Sequence, residues 1–244
     1  MFKPASHGYF AATRHPWPCL LFLMPLLGAY EGGVFWLGGA HPDALRNGAD
    51  NWVRCALTAL GLPFFWLPPL VLFLMLAGWN VLRQADQPRD LAGVLTGMAL
   101  ESVAFALGLW GLSRGLVPLM QQLGVQMEIS GAAEPALRQV VTYLGAGIYE
   151  EALFRLTLYS AMVWLLRRME AAKMVAILLA ATASATLFSA AHHLGPYGQP
   201  YDNYLFLFRL AAGVYFALLY QWRGFGVAVG AHACYNLMVS VGVA

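Results

Sequence analysis

Long apolar stretches alternate with short polar segments along this chain. The apolar stretches cover residues 18–39, 58–82, 91–113, 139–166, 174–192, 204–222 and 224–243. A helix needs about 20 residues to cross a bilayer, and these stretches are close to that length. Their apolar residues are continuous rather than alternating, so helices are favoured over a β-barrel. The pattern predicts an all-α, polytopic transmembrane bundle of about seven spans (~6–8), which forms a single domain over residues 1–244.

Three segments modify this pattern. Pro63, Pro68 and Pro69 interrupt the second apolar stretch, so its helix is predicted to be kinked or to begin late. Residues 46–61 form an amphipathic segment, which we expect to lie at the membrane interface. Residues 114–138 are the longest polar connection and are predicted to be a surface loop.

The composition agrees with a membrane protein. Hydrophobic residues make up 60% of the chain and charged residues only 11%, whereas soluble domains carry roughly 25% charged residues. The formal net charge of +2 gives no reason to expect a nucleic-acid partner. The three cysteines lack the CxxC spacing of a zinc knuckle and indicate no disulfide framework. The first apolar run lacks a small-x-small cleavage site, so we interpret it as a retained span.

The distribution of lysine and arginine predicts an orientation. With the N-terminus inside, the inner segments carry eight of these residues and the outer segments carry four. The inner ones are Lys3, Arg14, Arg83, Arg89, Arg167, Arg168, Lys173 and Arg223, and the outer ones are Arg46, Arg54, Arg114 and Arg138. This excess predicts that the N-terminus is inside and the C-terminus outside. Arginine is preferred over lysine, and Ala, Gly, Leu and Trp are abundant, which is typical of a bacterium with a GC-rich genome. The predicted location is therefore the bacterial inner membrane.

Two adjacent glutamates lie inside the fourth apolar stretch. Each charge at the centre of a span costs about 2.5–3.5 kcal/mol, so its presence needs a reason. Glu151 and Arg155 are four residues apart and share a helix face, where a structural ion pair would lower the cost of burial. Glu150 points about 100° away and is not explained by that pair. Adjacent carboxylates in an apolar site are suited to general acid–base chemistry.

Two further polar motifs lie in later stretches. Phe188 and His192 share a helix face, and the neighbouring His193 lies on another face. His232 and Asn236 share a face of the last predicted helix, among small residues that allow close packing. Taken alone, the first motif is explained by a pair of histidines at a helix end. Taken alone, the second is explained by hydrogen bonding between helices. Taken together with the glutamates, they could line one water-filled cavity in the outer half of the bundle and activate water.

The order and spacing of the three motifs resemble the CAAX prenyl protease and bacteriocin-processing family of intramembrane proteases. The matching residues are Glu150-Glu151-x-x-x-Arg155, then Phe188-x-x-x-His192, then His232-x-x-x-Asn236. The resemblance covers a family-like catalytic core of about residues 138–240. Residues 26–33 (LLGAYEGG) and 46–52 (RNGADNW) resemble the glutamic-type sorting branch of this family.

The resemblance implies a peptide hydrolase whose site is embedded in the membrane. It implies that Glu150 is the general base that activates water, and that His192 holds this water and transfers its proton. It implies that His232 and Asn236 stabilise the oxyanion of the tetrahedral intermediate. The remaining motif residues are implied to shape the site: Glu151, Arg155 and Phe188.

The cofactor requirement has two interpretations. Glu150, His192 and His232 could bind zinc, as His₂Glu sites do, with one position left open. The chain has no HExxH motif, and two carboxylates with an amide can work without a metal. We favour the metal-free glutamic mechanism, with the zinc-dependent protease as the alternative.

Other buried charges have structural interpretations. Arg209 is expected to snorkel or to pair with Glu101 or Glu151, although it could instead bind the C-terminal carboxylate of a substrate. Glu101 is expected to be a structural partner, and Glu31 lies near the end of the first span.

The expected partners are the lipid bilayer and a membrane-anchored protein or peptide substrate. Prenylated tails, bacteriocin precursors and C-terminal sorting signals all suit such a site. An outer-facing site would favour a substrate with a C-terminal anchor that has already crossed the membrane. The rival functions are an ion-coupled transporter, for which no internal repeat is present, and a non-catalytic membrane scaffold.

Overall fold

The chain is built from helices. The computed structural model describes residues 8–84, 87–122, 136–195 and 198–240, and within these ranges all regular structure is helical. The α-helices are α1 Tyr9–Ala12, α2 Pro16–Gly38, α3 Gly48–Ala59, α4 Leu67–Leu82, α5 Leu91–Gln122, α6 Ala136–Gly145, α7 Ser160–Arg168, α8 Lys173–Ala191, α9 Asn203–Arg223 and α10 Phe225–Ser240. A 3₁₀-helix covers Pro42–Leu45, and two π-helical segments, Ala146–Glu150 and Ala152–Tyr159, join α6 to α7. The prediction of an all-α protein is confirmed for the described residues.

Several of these helices suit a membrane. Among the described residues, four helices are both long and apolar enough to cross a bilayer: α2, α5, α8 and α9. The helices α4 and α10 are apolar but shorter. The prediction of about seven spans therefore stays a prediction.

The helix of the second apolar stretch begins late, as its prolines predict. The helix α4 begins only at Leu67, after Pro63, and Pro68 and Pro69 lie in its first turn. Proline is accepted there because the first N–H groups of a helix have no partner within it. The late start of this helix is confirmed.

The amphipathic segment is the helix α3, and its polar side faces inward. Asn47, Asp50 and Asn51 are buried, whereas Leu60 just after the helix is 75% exposed. The polar side is buried because α2 supplies hydroxyl and carboxylate partners for it. The position of this helix at a membrane interface stays a prediction.

The surface loop predicted over residues 114–138 is wrong for its first part. The helix α5 continues to Gln122, because Leu116, Leu119 and Met120 keep the apolar spacing of a helix beyond Arg114. Residues 123–135 lie outside the described part of the chain.

The helix α10 lies at the centre of the bundle and packs against α2, α5, α6 and α9. Its residues 225–233 are buried and consist largely of glycine, alanine and valine. Small residues allow the backbones of apolar helices to approach closely. At Gly147, an added Cβ would lie 2.9 Å from the Cβ of Ala233 and 3.0 Å from the carbonyl oxygen of Val229. Close contact with α10 thus fixes the segment that carries Glu150.

The buried charges outside the three sequence motifs pair differently from the sequence-based expectation. Glu101 accepts hydrogen bonds from Arg223 at 2.7–2.9 Å, which ties α5 to the end of α9. Arg209 instead donates to Gln199 at 2.6 Å. The expected pairing of Arg209 with Glu101 or Glu151 is wrong, because the nearer Arg223 and Arg155 occupy those carboxylates.

We expect Gly147→Ala to lower the free energy of unfolding by about 1–3 kcal/mol, because overpacking a tight helix contact costs that much. Gly28→Ala is the matched control, since an added Cβ at Gly28 in α2 meets no atom within 4 Å. Denaturant titration of the purified chain in micelles measures both values. Equal stability of the two variants would contradict the close contact between the Glu150 segment and α10.

Candidate active site

A widened stretch of helix carries the two adjacent glutamates. Between α6 and α7 the backbone is π-helical over Ala146–Glu150 and Ala152–Tyr159. Such π-helical turns are uncommon and occur frequently at functional sites. Glu150 is 6% exposed and Glu151 is fully buried. Both carboxylates are therefore removed from bulk solvent and depend on protein partners.

The Glu150 carboxylate lies between two imidazoles. Its Oε1 is 3.8 Å from Nε2 of His192, at the end of α8, and its Oε2 is 3.7 Å from Nε2 of His232 on α10. These separations exceed direct hydrogen bonds. One reacting water molecule could contact the carboxylate and an imidazole at once, which is the arrangement that proton transfer from water requires.

The other nitrogen of each imidazole has an acceptor that sets the ring orientation. Nδ1 of His192 donates to the carbonyl oxygen of Phe188 at 2.9 Å, and Nδ1 of His232 donates to Oε1 of Glu151 at 2.8 Å. A neutral imidazole carries one N–H, and both acceptors place it on Nδ1. In each neutral ring, Nε2 therefore presents its lone pair toward Glu150.

Glu151 also contacts Arg155. Nη1 of Arg155 lies 3.3 Å from Oε1 of Glu151, and this guanidinium is 1% exposed. It stacks on the ring of Phe188, with 4.3 Å from its central carbon to the ring centroid. The same ring meets His192 edge-on at a centroid distance of 4.9 Å. Arg155 and Phe188 thus link Glu151 to His192 through an ion pair, a cation–π contact and a ring contact.

Asn47 is a site residue that the sequence-based predictions did not include. Its Nδ2 donates to Oε1 of Glu150 at 2.8 Å, across 103 residues of sequence. Its Oδ1 accepts from the backbone N–H of Ala49 and caps α3, and its own backbone N–H donates to the hydroxyl of Tyr30. An asparagine before the first turn of an amphipathic helix indicates the cap. Nothing in that local signal indicates the contact with Glu150.

A buried ionic network holds Asn47 in place. Arg46 pairs with Asp50 at 2.8 Å and with Glu31 at 3.2 Å, and Arg54 pairs with Asp50 at 2.8 Å. Burial alone would lower the pKa of Arg46, but the Asp50 and Glu31 carboxylates raise it above its ordinary value, so the guanidinium stays charged. The network therefore provides a rigid ionic anchor beside Asn47.

Two tyrosines connect this network to the helix that carries Glu150. The hydroxyl of Tyr149 donates to Glu31 at 2.9 Å, and that of Tyr30 donates to Asp50 at 2.9 Å. Tyr149 immediately precedes Glu150, so the network holds both sides of the contact between Asn47 and Glu150.

A cavity of about 120 Å³ opens beside Glu150, between the start of α3 and the end of α8. Glu150 and His192 line it, together with Asn47 and Trp52. Its volume is enough for several water molecules. Gln199 also lines the cavity, which places Arg209, its hydrogen-bond partner, at the edge of the site.

Most, but not all, residues of the sequence motifs come together at the site. Glu150, Glu151, Arg155, Phe188, His192 and His232 form one contact network. Asn236 is half-buried one turn beyond His232 on α10 and is not among the residues that line the cavity. His193 faces away, with Nδ1 at 3.2 Å from the carbonyl oxygens of Gln199 and Pro200.

The donors available to a metal ion are Glu150, His192 and His232. Each imidazole has its Nδ1 bonded to a protein acceptor, as metal-binding histidines commonly do. Within residues 8–84, 87–122, 136–195 and 198–240, no group of three His, Cys, Asp or Glu side chains has the spacing of a metal site. The donor types suit zinc, but their spacing does not match a zinc site.

Comparison with known proteins finds a family match in the C-terminal part of the chain. Residues 132–238 match the family described as type II CAAX prenyl endopeptidase Rce1-like. No curated protein and no solved structure matches. The matched segment contains all three motifs and the Glu150 network. The match and the apolar helices together support an integral membrane protein. Over residues 132–238, this match supports the resemblance to the CAAX prenyl protease and bacteriocin-processing family that the three motifs predict.

Proposed function

We propose that this protein hydrolyses a peptide bond of a membrane-associated protein substrate, near its C-terminal tail or anchor, with Glu150 as the general base. One observation carries the proposal: the buried Glu150 carboxylate faces Nε2 of His192 and of His232 beside a cavity that can hold water. A carboxylate in an apolar site with adjacent imidazoles can take a proton from water near neutral pH.

The reaction begins when water in the cavity loses a proton to Glu150 and its oxygen attacks the carbonyl carbon of the substrate. A carbon–oxygen bond forms, and the carbonyl oxygen becomes an oxyanion. His192 lies beside both the carboxylate and the cavity, so its Nε2 can relay the proton. The proton then reaches the amide nitrogen, the carbon–nitrogen bond breaks, and a carboxylate and an amine leave.

His232 is suited to stabilise the oxyanion once its ring is protonated. Its Nδ1–H already donates to Glu151, so the second proton resides on Nε2, on the side of Glu150. The buried Glu151 carboxylate, 2.8 Å from Nδ1, would pair directly with this imidazolium. Asn236, one turn further along α10, is proposed as the second oxyanion donor.

Asn47 gives the base a fixed orientation. Its amide donates to the Glu150 oxygen that is also nearest His192. The remaining oxygen of Glu150 is nearest His232. Because the ionic network and the α3 cap both hold Asn47, the carboxylate is positioned before substrate arrives, which spares the reaction the cost of ordering it.

Arg209 is proposed to bind the C-terminal carboxylate of the substrate. It is joined to Gln199, which lines the cavity. A guanidinium binds a carboxylate with two parallel hydrogen bonds, so a site at this edge would favour cleavage near a chain end. We further propose that the site opens to the outer side of a bacterial inner membrane, as the positive-inside pattern predicts.

Zinc is the alternative mechanism. The residues that would hold it are Glu150, His192 and His232, and the bound ion would polarise the substrate carbonyl as a Lewis acid. In that case Glu150 would be a ligand rather than the base.

We expect Glu150→Gln to lower cleavage by about 10²–10⁴-fold, because glutamine keeps the shape of the residue but cannot accept the proton. The full chain is reconstituted in vesicles with a set of membrane-anchored tails, and mass spectrometry measures the products. Glu170→Gln is the matched control, since Glu170 lies in the exposed turn between α7 and α8.

The same assay distinguishes the alternatives. The glutamic mechanism predicts that a chelator leaves cleavage unchanged. Loss of cleavage on chelation, with recovery on adding zinc, would establish the metal-dependent mechanism. Full activity of Glu150→Gln would overturn both, because each requires this carboxylate.

We expect Asn47→Ser to lower the cleavage rate about tenfold or more, because Glu150 loses a hydrogen bond to a charged group. Serine is as good a helix cap as asparagine, so Asn47→Ser keeps the cap and its free energy of unfolding should fall only by the lost contact with Glu150. Asn47→Ala removes both the cap and the amide and should be less stable as well. A wild-type cleavage rate for Asn47→Ser would show that the contact with Glu150 does not position the base.

A further inference from the structure

The cavity beside Glu150 is small for a site that must hold a peptide. Its volume is about 120 Å³, whereas ordinary ligand pockets have about 300–1,000 Å³. The start of α3 and the end of α8 lie on two sides of it. A substrate strand that brings its carbonyl carbon to Glu150 must pass between these two helix ends. The side chains at the helix ends therefore decide which substrate residues fit.

Small residues line both helix ends. Gly48 and Ala49 line the cavity from α3, and Ala191 lines it from α8. An added Cβ at Gly48 meets no atom within 4 Å, so the space beside this residue is open. Gly48 does not have a positive φ, so its backbone conformation does not require glycine. The effect of the missing side chain is to leave room in the cavity.

Two aromatic side chains bound the same space. Phe154 lines the cavity, is 5% exposed and packs edge-on against Phe188 at a centroid distance of 5.3 Å, so close packing holds its ring in place. Trp52 lines the cavity from α3 and shares a helix face with Gly48, one turn earlier. An added Cβ at Gly195 would lie 3.7 Å from Nε1 of Trp52, so the indole reaches the turn that follows α8.

We propose that Trp52 and Gly48 form a size filter at the active site, so that the substrate residues beside the cut bond must be small, such as glycine, alanine or serine. This inference rests on the proposed function, because it names the substrate that the Glu150 site accepts. A large side chain beside the cut bond would collide with the Trp52 indole or the Phe154 ring. The strand could then not bring its carbonyl carbon to Glu150.

The filter predicts which tails the wild-type chain cuts. The full chain is reconstituted in vesicles with membrane-anchored tails that differ only in a short window of glycine, alanine, leucine or phenylalanine. We expect kcat/KM for the glycine and alanine tails to exceed that for the leucine and phenylalanine tails about tenfold or more, because each added methylene counts in a closed pocket. Mass spectrometry locates the cut bonds and measures the rates. Equal rates for all four tails would overturn the filter.

Two variants should shift this preference in opposite directions. Trp52→Ala enlarges the space, so it should raise the ratio of leucine-tail to alanine-tail cleavage about tenfold. Gly48→Ala adds a methyl group to the open space, so it should lower the ratio of alanine-tail to glycine-tail cleavage about tenfold. Alanine is a better helix former than glycine, so this variant should fold as well as the wild type. Loss of folded protein would lower the cleavage of all tails equally and leave both ratios unchanged.

The matched controls make the same substitutions away from the cavity. Trp36→Ala removes a tryptophan of α2 that is 79% exposed. Gly78→Ala adds a methyl group on α4, where an added Cβ also meets no atom within 4 Å. Both controls should keep the wild-type ratios. Unchanged ratios in Trp52→Ala and Gly48→Ala would overturn the filter, as would equal shifts in the controls.

Binding of uncut tails separates the filter from the proposed reaction. The alanine and phenylalanine tails compete with a fluorescent glycine tail for the Glu150→Gln chain in micelles. The filter predicts that the alanine tail competes about tenfold better, and that adding Trp52→Ala removes this difference. Equal competition by the two tails would overturn the filter, whichever tails are cut. Preference for the alanine tail without cleavage of any tail by the wild type would contradict the proposed reaction and support the filter.

Discussion

Glu150 and Glu151 are buried side by side, and each needs charged or polar partners because an unpaired buried carboxylate costs several kcal/mol. The donors come from four separate parts of the chain. Arg155 supplies one from the same helix, His192 and His232 supply the imidazoles, and Asn47 supplies an amide from the N-terminal half. The close packing of α10 against the Glu150 segment follows from the same requirement, because His232 must reach both carboxylates.

The two glutamates have different partners, and the proposed mechanism gives them different roles for that reason. Glu151 pairs with Arg155 and with Nδ1 of His232, so its carboxylate holds the imidazole ring in place. Glu150 faces two Nε2 atoms at a looser distance and is next to the cavity, so it is the carboxylate that can exchange a proton with water. In the proposed mechanism, two adjacent residues of one type perform two tasks because their surroundings differ.

The N-terminal half contributes more to the site than its sequence indicates. Glu31, Arg46, Asp50 and Arg54 form a buried network with two positive and two negative charges, and tyrosines from α2 and from the Glu150 segment complete it. A balanced network of this kind avoids leaving an uncompensated charge in an apolar environment. Its structural effect is to hold Asn47 against Glu150, although the family match begins only at residue 132.

The sequence predicts those features that depend on spacing within one helix. The pairing of Glu151 with Arg155 follows from helical periodicity, as does the shared face of Phe188 and His192. Contacts between distant helices are not encoded by such spacing. For that reason the contact of Asn47 with Glu150 and the true partner of Glu101 could not be predicted. The sequence also does not show that the polar side of α3 faces the protein interior. An amphipathic helix on a membrane surface would have the same pattern of polar and apolar residues.

The central claim is that water activated by Glu150 attacks the peptide bond directly. The most direct test adds hydroxylamine to the reconstituted protein during cleavage of a membrane-anchored tail and identifies the new chain end by mass spectrometry. Direct attack by water predicts a free carboxylate alone, which carries one heavy oxygen when the solvent is H₂¹⁸O. A hydroxamate at the new chain end would reveal an acyl intermediate on the protein, and it would contradict the role proposed for Glu150.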